Sequence, residues 1–402
     1  MAPPERRRGE GRALAGRRRR QQRRVAEPSV GADGSHHAAH VCFLHIGTMK
    51  SGTTFIQQML SHHRDALAED GLLFPGRGGY VQQINAVRDV LDMPGTVPAV
   101  RLEGAWNELR REIAEWPGGT SIVSVEHLSV APAKRVPSIV ESLAPATVHV
   151  VLTARDLARV LPSTWQENVQ NGLTWAWPDF LASIREHPSA DPTAGQRFWR
   201  QHDLVRTIKR WAEVVGTERI HLVTLPPSGA PADELWRRFC AVVGLDASRY
   251  PADGAALRSN KGLDRAAAEM LRRVNVLLGD VDRAAKLRIL KRGLAKSGLV
   301  EVEGQLPTVL DAEQYAWARH VSEALVAELA AIGVDVVGDL RELVPPDRPE
   351  VPVEHLREPT ETEIADAAAA ATAALLGQLT STRPEPRRRR PAGGGTAPRM
   401  TG

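Results

Sequence analysis

Four short apolar runs, rich in β-branched residues, recur along the first two thirds of the chain. They span residues 41–46, 121–125, 147–153 and 219–225. Runs that are apolar at nearly every position, rather than at every second one, are typical of strands buried on both faces of a parallel sheet. The pattern therefore predicts four strands of one central parallel sheet.

Between these runs, apolar residues recur three or four positions apart, as they do along one face of a helix. Helices are predicted in this way over residues 56–67, 205–215 and 235–243. Each is followed within four residues by a glycine, which commonly ends a helix. The alternation of strands and helices predicts an α/β fold, in which helices cover the sheet.

The rest of the chain carries mainly helical patterns. Helices are predicted over residues 263–278, 283–296 and 311–332, a short extended segment over 335–340, and an alanine-rich helix over 361–380.

The charge distribution divides the chain into a body and two basic ends. Residues 1–40 carry a net charge of +6, residues 381–402 carry +5, and residues 41–380 carry −7. Because the body is mildly acidic, no nucleic-acid-binding surface is expected on the fold. We predict a disordered, arginine-rich tail over 1–40. One folded domain is predicted over 41–345, and a linker, the alanine-rich helix and a disordered basic tail over 346–402.

Composition excludes several classes of protein. The 402-residue chain is 42% hydrophobic and 25% charged, which is ordinary for a soluble globular protein and unlike a disordered or collagen-like chain. It contains no run of about 18 apolar residues, so no transmembrane segment is expected. Cys42 and Cys240 are its only cysteines. Two cysteines make neither a disulfide framework nor a zinc site, so we expect a cytoplasmic protein without a metal.

A glycine-containing loop joins the first predicted strand to the helix that follows. Residues 47–55 read Gly-Thr-Met-Lys-Ser-Gly-Thr-Thr-Phe. Glycines let backbone N–H groups turn inward, and the start of the helix adds the positive end of its dipole. Lys50 adds a full charge, in a chain with 45 arginines but only 7 lysines. The loop is therefore expected to bind a phosphate or a sulfate. It is not a Walker A loop, because Lys50 lies before Gly52 instead of directly after a glycine.

This loop resembles the 5′-phosphosulfate loop of the sulfotransferases that use 3′-phosphoadenosine 5′-phosphosulfate (PAPS) as co-substrate. The resemblance covers about residues 41–345 and implies the family's P-loop-like, three-layer α/β/α fold with a central parallel sheet. It further implies that the 5′-phosphate and the sulfuryl group of PAPS are bound by Lys50, Ser51, Gly52, Thr53 and Thr54.

A second candidate phosphate site follows the third predicted strand. Arg155 lies just beyond that strand, and Ser163 lies eight residues later on a helical stretch. A guanidinium at a strand end and a hydroxyl about two turns into the next helix can bind one phosphate together. Pro162 is expected to kink or restart the helix. The spacing resembles the 3′-phosphate site of the same family, which implies that role for Arg155 and Ser163.

A third set of candidates is Arg258, Lys261 and Gly262. In many members of the family an Arg-Lys-Gly loop closes on the 3′-phosphate, and here Ser259 and Asn260 interrupt the motif. The resemblance implies the same role for these three residues, and an ordinary basic loop is the alternative.

Sulfuryl transfer to a hydroxyl also needs a base, while Lys50 would stabilise the charge on the leaving oxygen. Glu126 and His127 follow the second predicted strand, at the carboxyl edge of the sheet where ligands bind. Adjacent strand residues point to opposite faces, so one of them is expected to serve. A polar face shared with Ser124 favours Glu126. The pair His127-Leu128 resembles the family's His-Leu pair, which favours His127.

The acceptor site has one set of candidates. Four of the 18 aromatic residues lie close together in the sequence, namely Trp165, Trp175, Trp177 and Trp199. They could line an acceptor pocket or pack in the core.

We therefore expect a sulfotransferase that moves a sulfuryl group from PAPS to a hydroxyl or amine of a small-molecule, glycan or lipid acceptor. One alternative is a P-loop-like kinase using Mg-ATP, with Thr53 and Asp156 on the metal side. The other is a non-catalytic nucleotide-binding scaffold.

Overall fold

The β-branched runs fold as strands of one parallel sheet. The structure is a computed structural model that describes residues 40–76, 79–93, 102–186, 193–252, 262–279, 281, 306–347 and 351–381. Within these ranges the strands are β1 (Val41–His45), β2 (Leu72–Leu73), β3 (Thr120–Ser124), β4 (Thr147–Ala154), β5 (Ile220–Thr224) and β6 (Asp335–Val337). They lie in the order β2-β3-β1-β4-β5-β6, and all neighbours are parallel. The predicted central parallel sheet is confirmed.

The differences from prediction lie at the edges of the sheet. The pattern does not predict β2, because two residues are too few to show a period. The extended segment expected over 335–340 is β6, which ends at Val337 because a short 3₁₀ helix, Leu340–Leu343, follows. The carboxylate of Asp339 starts that turn by accepting a hydrogen bond from the amide of Arg341.

The helices are α1 (Thr53–His62), α2 (Arg64–Glu69), α3 (Tyr80–Val90), α4 (Ala105–Ala114), α5 (Val136–Ser142), α6 (Leu157–Gln170), α7 (Trp177–Glu186), α8 (Ala194–His202), α9 (Leu204–Val215), α10 (Glu234–Val243), α11 (Arg265–Leu278), α12 (Ala312–Ile332), α13 (Val353–Leu356) and α14 (Glu361–Ser381). The helix expected over 283–296 lies outside the described residues. The helix expected over 56–67 is divided into α1 and α2 at His63. There φ is −95° and ψ is 15°, and the imidazole Nε2 lies 3.0 Å from the carbonyl oxygen of Pro251.

Helices cover the sheet on both faces, which explains why its strands are apolar at nearly every position. Alternate residues of β1 point to opposite faces. Leu44 packs in the cluster that holds Ile208 of α9, whereas Phe43 packs in the cluster that holds Ile56 of α1 and Phe239 of α10. The described part of the chain therefore has the three-layer α/β/α arrangement.

A second hydrophobic core lies among helices and contains the tryptophans. Trp165 and Trp177 are buried with Phe180, and Trp175 and Trp199 pack against the same cluster. Indole N–H groups donate to backbone carbonyl oxygens inside it, as Trp165 does to Trp175 at 2.9 Å. None of the four lines the cavity described below. The structure therefore favours core packing over an acceptor pocket for this group.

The alanine-rich helix belongs to this second core. Ile364, Ala367 and Ala371 of α14 are buried there, and α14 packs against α11. Arg273 of α11 forms an ion pair with Glu361 at 2.7 Å. The helix is 21 residues long, but neither it nor any other helix in the described ranges is apolar enough over sufficient length to cross a membrane.

Three histidines are held neutral by the fold. Burial lowers the pKa of His45 to about 3 and that of His202 to about 3. Burial, followed by the neighbouring His221, lowers the pKa of His149 to about 4, and the two rings are joined by a 2.9 Å hydrogen bond. In an unfolded chain these side chains would titrate near pH 6.5.

Acid should therefore destabilise the protein. Each folded pKa lies below its unfolded value, so the unfolded chain takes up more protons as pH falls below about 6.5. The free energy of unfolding should fall by up to about 1.4 kcal/mol per pH unit for each neutral histidine, and should not change on this account above pH 7. Denaturant unfolding at pH 7.5, 6.0 and 5.0 measures this. His149→Phe should flatten the pH dependence below pH 6.5, and an equally steep dependence in that variant would contradict the assignment.

Candidate anion-binding site

The loop between β1 and α1 has a left-handed backbone at three positions. The angle φ is +67° at Gly47, +62° at Lys50 and +83° at Gly52. A Cβ atom on Gly47 would lie 2.7 Å from Cγ2 of Thr53, and one on Gly52 would lie 2.5 Å from Cδ2 of Leu235. Both glycines are therefore required by backbone angle and by space. The chain turns sharply in this loop, and α1 begins at Thr53, directly after Gly52.

Lys50 is the loop residue with a strained backbone. A left-handed conformation costs an L-residue with a side chain roughly 1–2 kcal/mol, and such strain is concentrated at functional sites. Its ammonium lies 3.1 Å from a carboxylate oxygen of Glu167 on α6, and both side chains are about 30% exposed. The lysine charge is thus held between the loop and α6, where solvent or a ligand can reach it.

The start of α1 leaves backbone donors for an anion. Gly52 is the N-cap residue and has no side chain with which to bond the amides of the first turn. Thr54, in that first turn, is exposed. Helix amides without a capping partner point along the axis and favour a negative group.

Two of the predicted loop ligands are buried instead. The hydroxyl of Ser51 donates to the carbonyl oxygen of Thr48 and lies 2.7 Å from the hydroxyl of Thr153 on β4. Ser51 has no exposed surface, and Thr53 is 6% exposed. The Ser51 side chain holds the loop against β4, so a ligand would meet the backbone of residue 51 and not its hydroxyl.

Arg155 follows β4, and its Nε has no hydrogen-bond partner in the part of the chain that the structure describes. That Nε is buried, and among the described residues Arg155 forms no ion pair. Burial, together with the nearby Arg159, lowers the pKa of Arg155 to about 10, which leaves it charged at neutral pH. The side chain is half-buried, and the nearby carboxylate of Asp156 hydrogen-bonds Arg159 instead, so the Arg155 guanidinium favours the binding of an anion.

Arg155 lines a cavity of about 1110 Å³. Ser163 and Gly262 line the same cavity, so the structure brings together three residues that the sequence assigns to one phosphate. Arg258 and Lys261, the other two candidates, lie outside the described residues. The volume of the cavity is ample for a nucleotide.

Helix α6 forms one wall of this cavity. Its first turn is capped by Asp156, whose carboxylate accepts from the amide of Arg159 at 3.0 Å. The helix continues through Pro162, so the expected restart does not occur. Buried residues on either side of the proline, such as Val160 and Trp165, keep the helix in place despite the missing N–H group. The hydroxyl of Ser163 donates to the Arg159 carbonyl oxygen at 2.9 Å.

Glu126 lies beside the loop. Its Cβ would be 3.2 Å from a Cβ on Gly47, so the glycine allows this close approach. One carboxylate oxygen of Glu126 accepts from Nε2 of Gln57 at 3.1 Å and from the hydroxyl of Tyr80 at 3.3 Å. Burial and the Glu126 charge both raise the pKa of Tyr80, so the phenol remains a donor. The carboxylate is therefore oriented by groups on α1 and α3.

Glu126 and His127 are not strand residues, so the expectation that they point to opposite faces of the sheet is wrong. β3 ends at Ser124, one residue earlier than expected, and both candidates lie in the 3₁₀ helix Glu126–Val130. In such a turn adjacent side chains do not alternate between two faces. What distinguishes Glu126 is its proximity to Gly47 and its bond to Gln57, whose helix begins at the loop.

Sequence reasoning missed four residues of this edge: His45, Gln57, Tyr80 and Glu167. A polar residue inside an apolar strand, as His45 is, was the available signal for one of them. The others depend on contacts between distant elements, which spacing along the chain does not show.

No protein-family model matches the chain, and no curated protein matches it. Among solved structures, it is similar to the crystal structure of a sulfotransferase from Alicyclobacillus acidocaldarius, with 19% sequence identity and a TM-score of 0.36. That match covers 63% of this chain and 96% of the other. The likeness is distant, and the assignment of function therefore rests on this chain's own residues.

Proposed function

We propose that the protein is a sulfotransferase that takes its sulfuryl group from PAPS and transfers it to a hydroxyl or amine of a small-molecule, glycan or lipid acceptor. The observation that carries the proposal is the half-buried guanidinium of Arg155, whose Nε has no hydrogen-bond partner among the described residues, in a cavity that Ser163 and Gly262 also line. A second anion position, at the uncapped start of α1, lies at the end of the neighbouring strand. A ligand with two separate anionic groups fits this pair of positions.

The residues fit the two ends of this co-substrate. Arg155 and Ser163 would bind the 3′-phosphate through a charge-assisted donor set. The backbone amides of the loop and of the first turn of α1, with Lys50 and Thr54, would bind the 5′-phosphosulfate. The bound co-substrate supplies an activated sulfuryl group, and no metal ligand is needed among these residues for that role.

The chain's own groups would then act on charge and protons. The acceptor oxygen forms a bond to sulfur while the bond from sulfur to the bridging oxygen breaks. Lys50 stabilises the negative charge on that bridging oxygen, in the manner of an oxyanion-hole donor. Glu126 takes the proton of the acceptor hydroxyl on the carboxylate oxygen that does not bond Gln57 and Tyr80. The ion pair of Lys50 with Glu167 would give way to the ligand.

Binding of adenosine 3′,5′-bisphosphate tests the donor assignment. At 100 times its dissociation constant, it should stabilise the fold by about 2.7 kcal/mol without metal, and Mg-ATP should stabilise it less. Adenosine 5′-monophosphate is the matched ligand control, since it lacks the 3′-phosphate. Wild type should prefer the bisphosphate by roughly 10- to 160-fold, the value of a charge-assisted bond of about 1.5–3 kcal/mol. Arg155→Gln should abolish this preference. Equal affinities in wild type, or a stronger effect of Mg-ATP, would contradict the proposal.

The base is tested by two neighbouring substitutions. Glu126→Gln keeps the side-chain shape but cannot accept the acceptor proton, so kcat should fall about 10²- to 10⁴-fold, while bisphosphate affinity stays within about threefold. His127→Asn is the matched control and should keep most of the activity. Steady-state kinetics with labelled PAPS and a screened acceptor measures both. A larger loss in His127→Asn would transfer the role to His127, and bisphosphate binding without turnover of any acceptor would favour a scaffold.

Lys50 is tested with two small residues that separate charge from strain. Both Lys50→Ala and Lys50→Gly should lower kcat by about 10²- to 10³-fold, because each removes the ammonium. Glycine accepts φ of +62° without strain, so Lys50→Gly should be more stable than Lys50→Ala by about 0.5–1 kcal/mol. Thermal or denaturant unfolding measures the difference. A less stable glycine variant would show that the loop backbone is not left-handed at this position.

A further inference from the structure

His45 is the last residue of β1 and lies beneath the loop with only 1% of its surface exposed. Both ring nitrogens have a hydroxyl partner. Nδ1 lies 2.7 Å from Oγ of Ser124 on β3, and Nε2 lies 3.3 Å from Oγ1 of Thr153 on β4. The imidazole therefore connects the central strand to both of its neighbours by side-chain hydrogen bonds, in addition to the backbone ladder.

The strands joined in this way each lead to one of the candidate site groups. Ser124 is two residues before Glu126, Thr153 is two residues before Arg155, and His45 is two residues before the loop that carries Lys50. The backbone takes part as well, because the carbonyl oxygen of His45 accepts from the amide of Val125 at 3.0 Å. One imidazole thus connects the three strands that lead to Glu126, to the loop and to Arg155.

The chain of hydrogen bonds continues into the loop itself. The hydroxyl of Thr153 lies 2.7 Å from that of Ser51, which in turn donates to the carbonyl oxygen of Thr48. The amide of Thr48 donates to the carbonyl oxygen of Thr153 at 2.8 Å. The same network reaches the base from the other side, since Gln57 donates to both the Ser124 carbonyl oxygen at 3.2 Å and the Glu126 carboxylate.

We propose that His45 is a positioning residue, which fixes the anion-binding loop relative to Glu126 and Arg155 through its bonds to Ser124 and Thr153. Burying an imidazole costs free energy that an apolar side chain of similar size would not, unless both ring nitrogens are hydrogen-bonded, as they are here. The position of His45 at the end of β1, with hydrogen bonds to β3 and β4, gives the reason for a buried polar side chain here. In catalysis this role rests on the proposed function, but its effect on loop geometry does not.

The test compares His45→Phe, which keeps the aromatic volume and loses both hydrogen bonds, with His149→Phe. His149 is a matched control, since it is also a histidine of this sheet with a pKa lowered by burial. It lies near the amino end of β4, away from the loop. Amide hydrogen exchange in the absence of ligand should become about tenfold faster or more over residues 46–52 in His45→Phe only. Unchanged exchange in that loop, or an equal increase in His149→Phe, would overturn the proposal.

Kinetics and binding give a second readout that a purely structural role would not move. A misplacement of about 1 Å lowers catalysis about 10²-fold, so His45→Phe should lower kcat about that much and weaken bisphosphate binding several-fold. His45→Asn can retain a bond toward Ser124 and should recover at least part of both losses. Absence of any recovery, with wild-type exchange in the loop, would reduce His45 to a core residue.

Two further measurements distinguish failure of the positioning role from failure of the proposed function. If His45→Phe does not fold, Thr153→Val removes one hydroxyl of the network while keeping the side-chain shape, and the same increase in loop exchange is expected. Failure of wild type to bind adenosine 3′,5′-bisphosphate would contradict the proposed function, whereas faster loop exchange in the variants would still support the positioning role of His45.

Discussion

The left-handed turn of the loop over residues 47–52 is the constraint on which the rest of the site depends. It lets the chain leave β1 and start α1 immediately, so that amides of the first turn lie at the carboxyl edge of the sheet. It also brings Gly47 close to Glu126 and Thr53, where a Cβ on residue 47 would lie 3.2 Å from Cβ of Glu126 and 2.7 Å from Cγ2 of Thr53. Lysine accepts this backbone at a cost, and that cost is consistent with selection for its charge.

The sheet order then determines which groups can meet. β1 lies between β3 and β4. From β1 the chain builds β2 and β3 on one side of it, and then crosses from β3 to build β4 and β5 on the other side. Ligands of open α/β sheets bind at such a reversal. The groups that follow these three strands are a loop with Lys50, a carboxylate at Glu126 and a guanidinium at Arg155. Residues that are far apart in the sequence thus lie together at the carboxyl edge of the sheet.

Much of the sheet is readable from sequence because burial on both faces makes its strands continuously apolar. Two features of the site can also be predicted, because each belongs to a single strand-to-helix connection. They are the spacing of glycines and lysine in the loop and the separation of Arg155 from Ser163. The division at His63 and the side-chain role of Ser51 are not readable, because they depend on Pro251 and Thr153, which are far away along the chain. The orientation of Glu126 is hidden for the same reason.

Polarity under the loop also has a physical meaning. Ser51, Ser124, Thr153 and His45 are fully or almost fully buried, and each finds its partner within that group or in the nearby backbone. Satisfied networks of this kind are rigid, whereas partly satisfied ones are costly. Arg155, two residues beyond Thr153, is the contrast, because its Nε has no partner in the described part of the chain. The satisfied groups hold the loop and the strand ends in place, and the unsatisfied Nε of Arg155 is the group on which the proposed 3′-phosphate site rests.

A crystal structure with adenosine 3′,5′-bisphosphate would show where the nucleotide binds. We predict electron density for the 5′-phosphate against the amides of residues 50–54, and for the 3′-phosphate within hydrogen-bond distance of Arg155 and Ser163. Density for the nucleotide at any other place, or a loop and an Arg155 side chain without ligand at a concentration that saturates binding in solution, would contradict it.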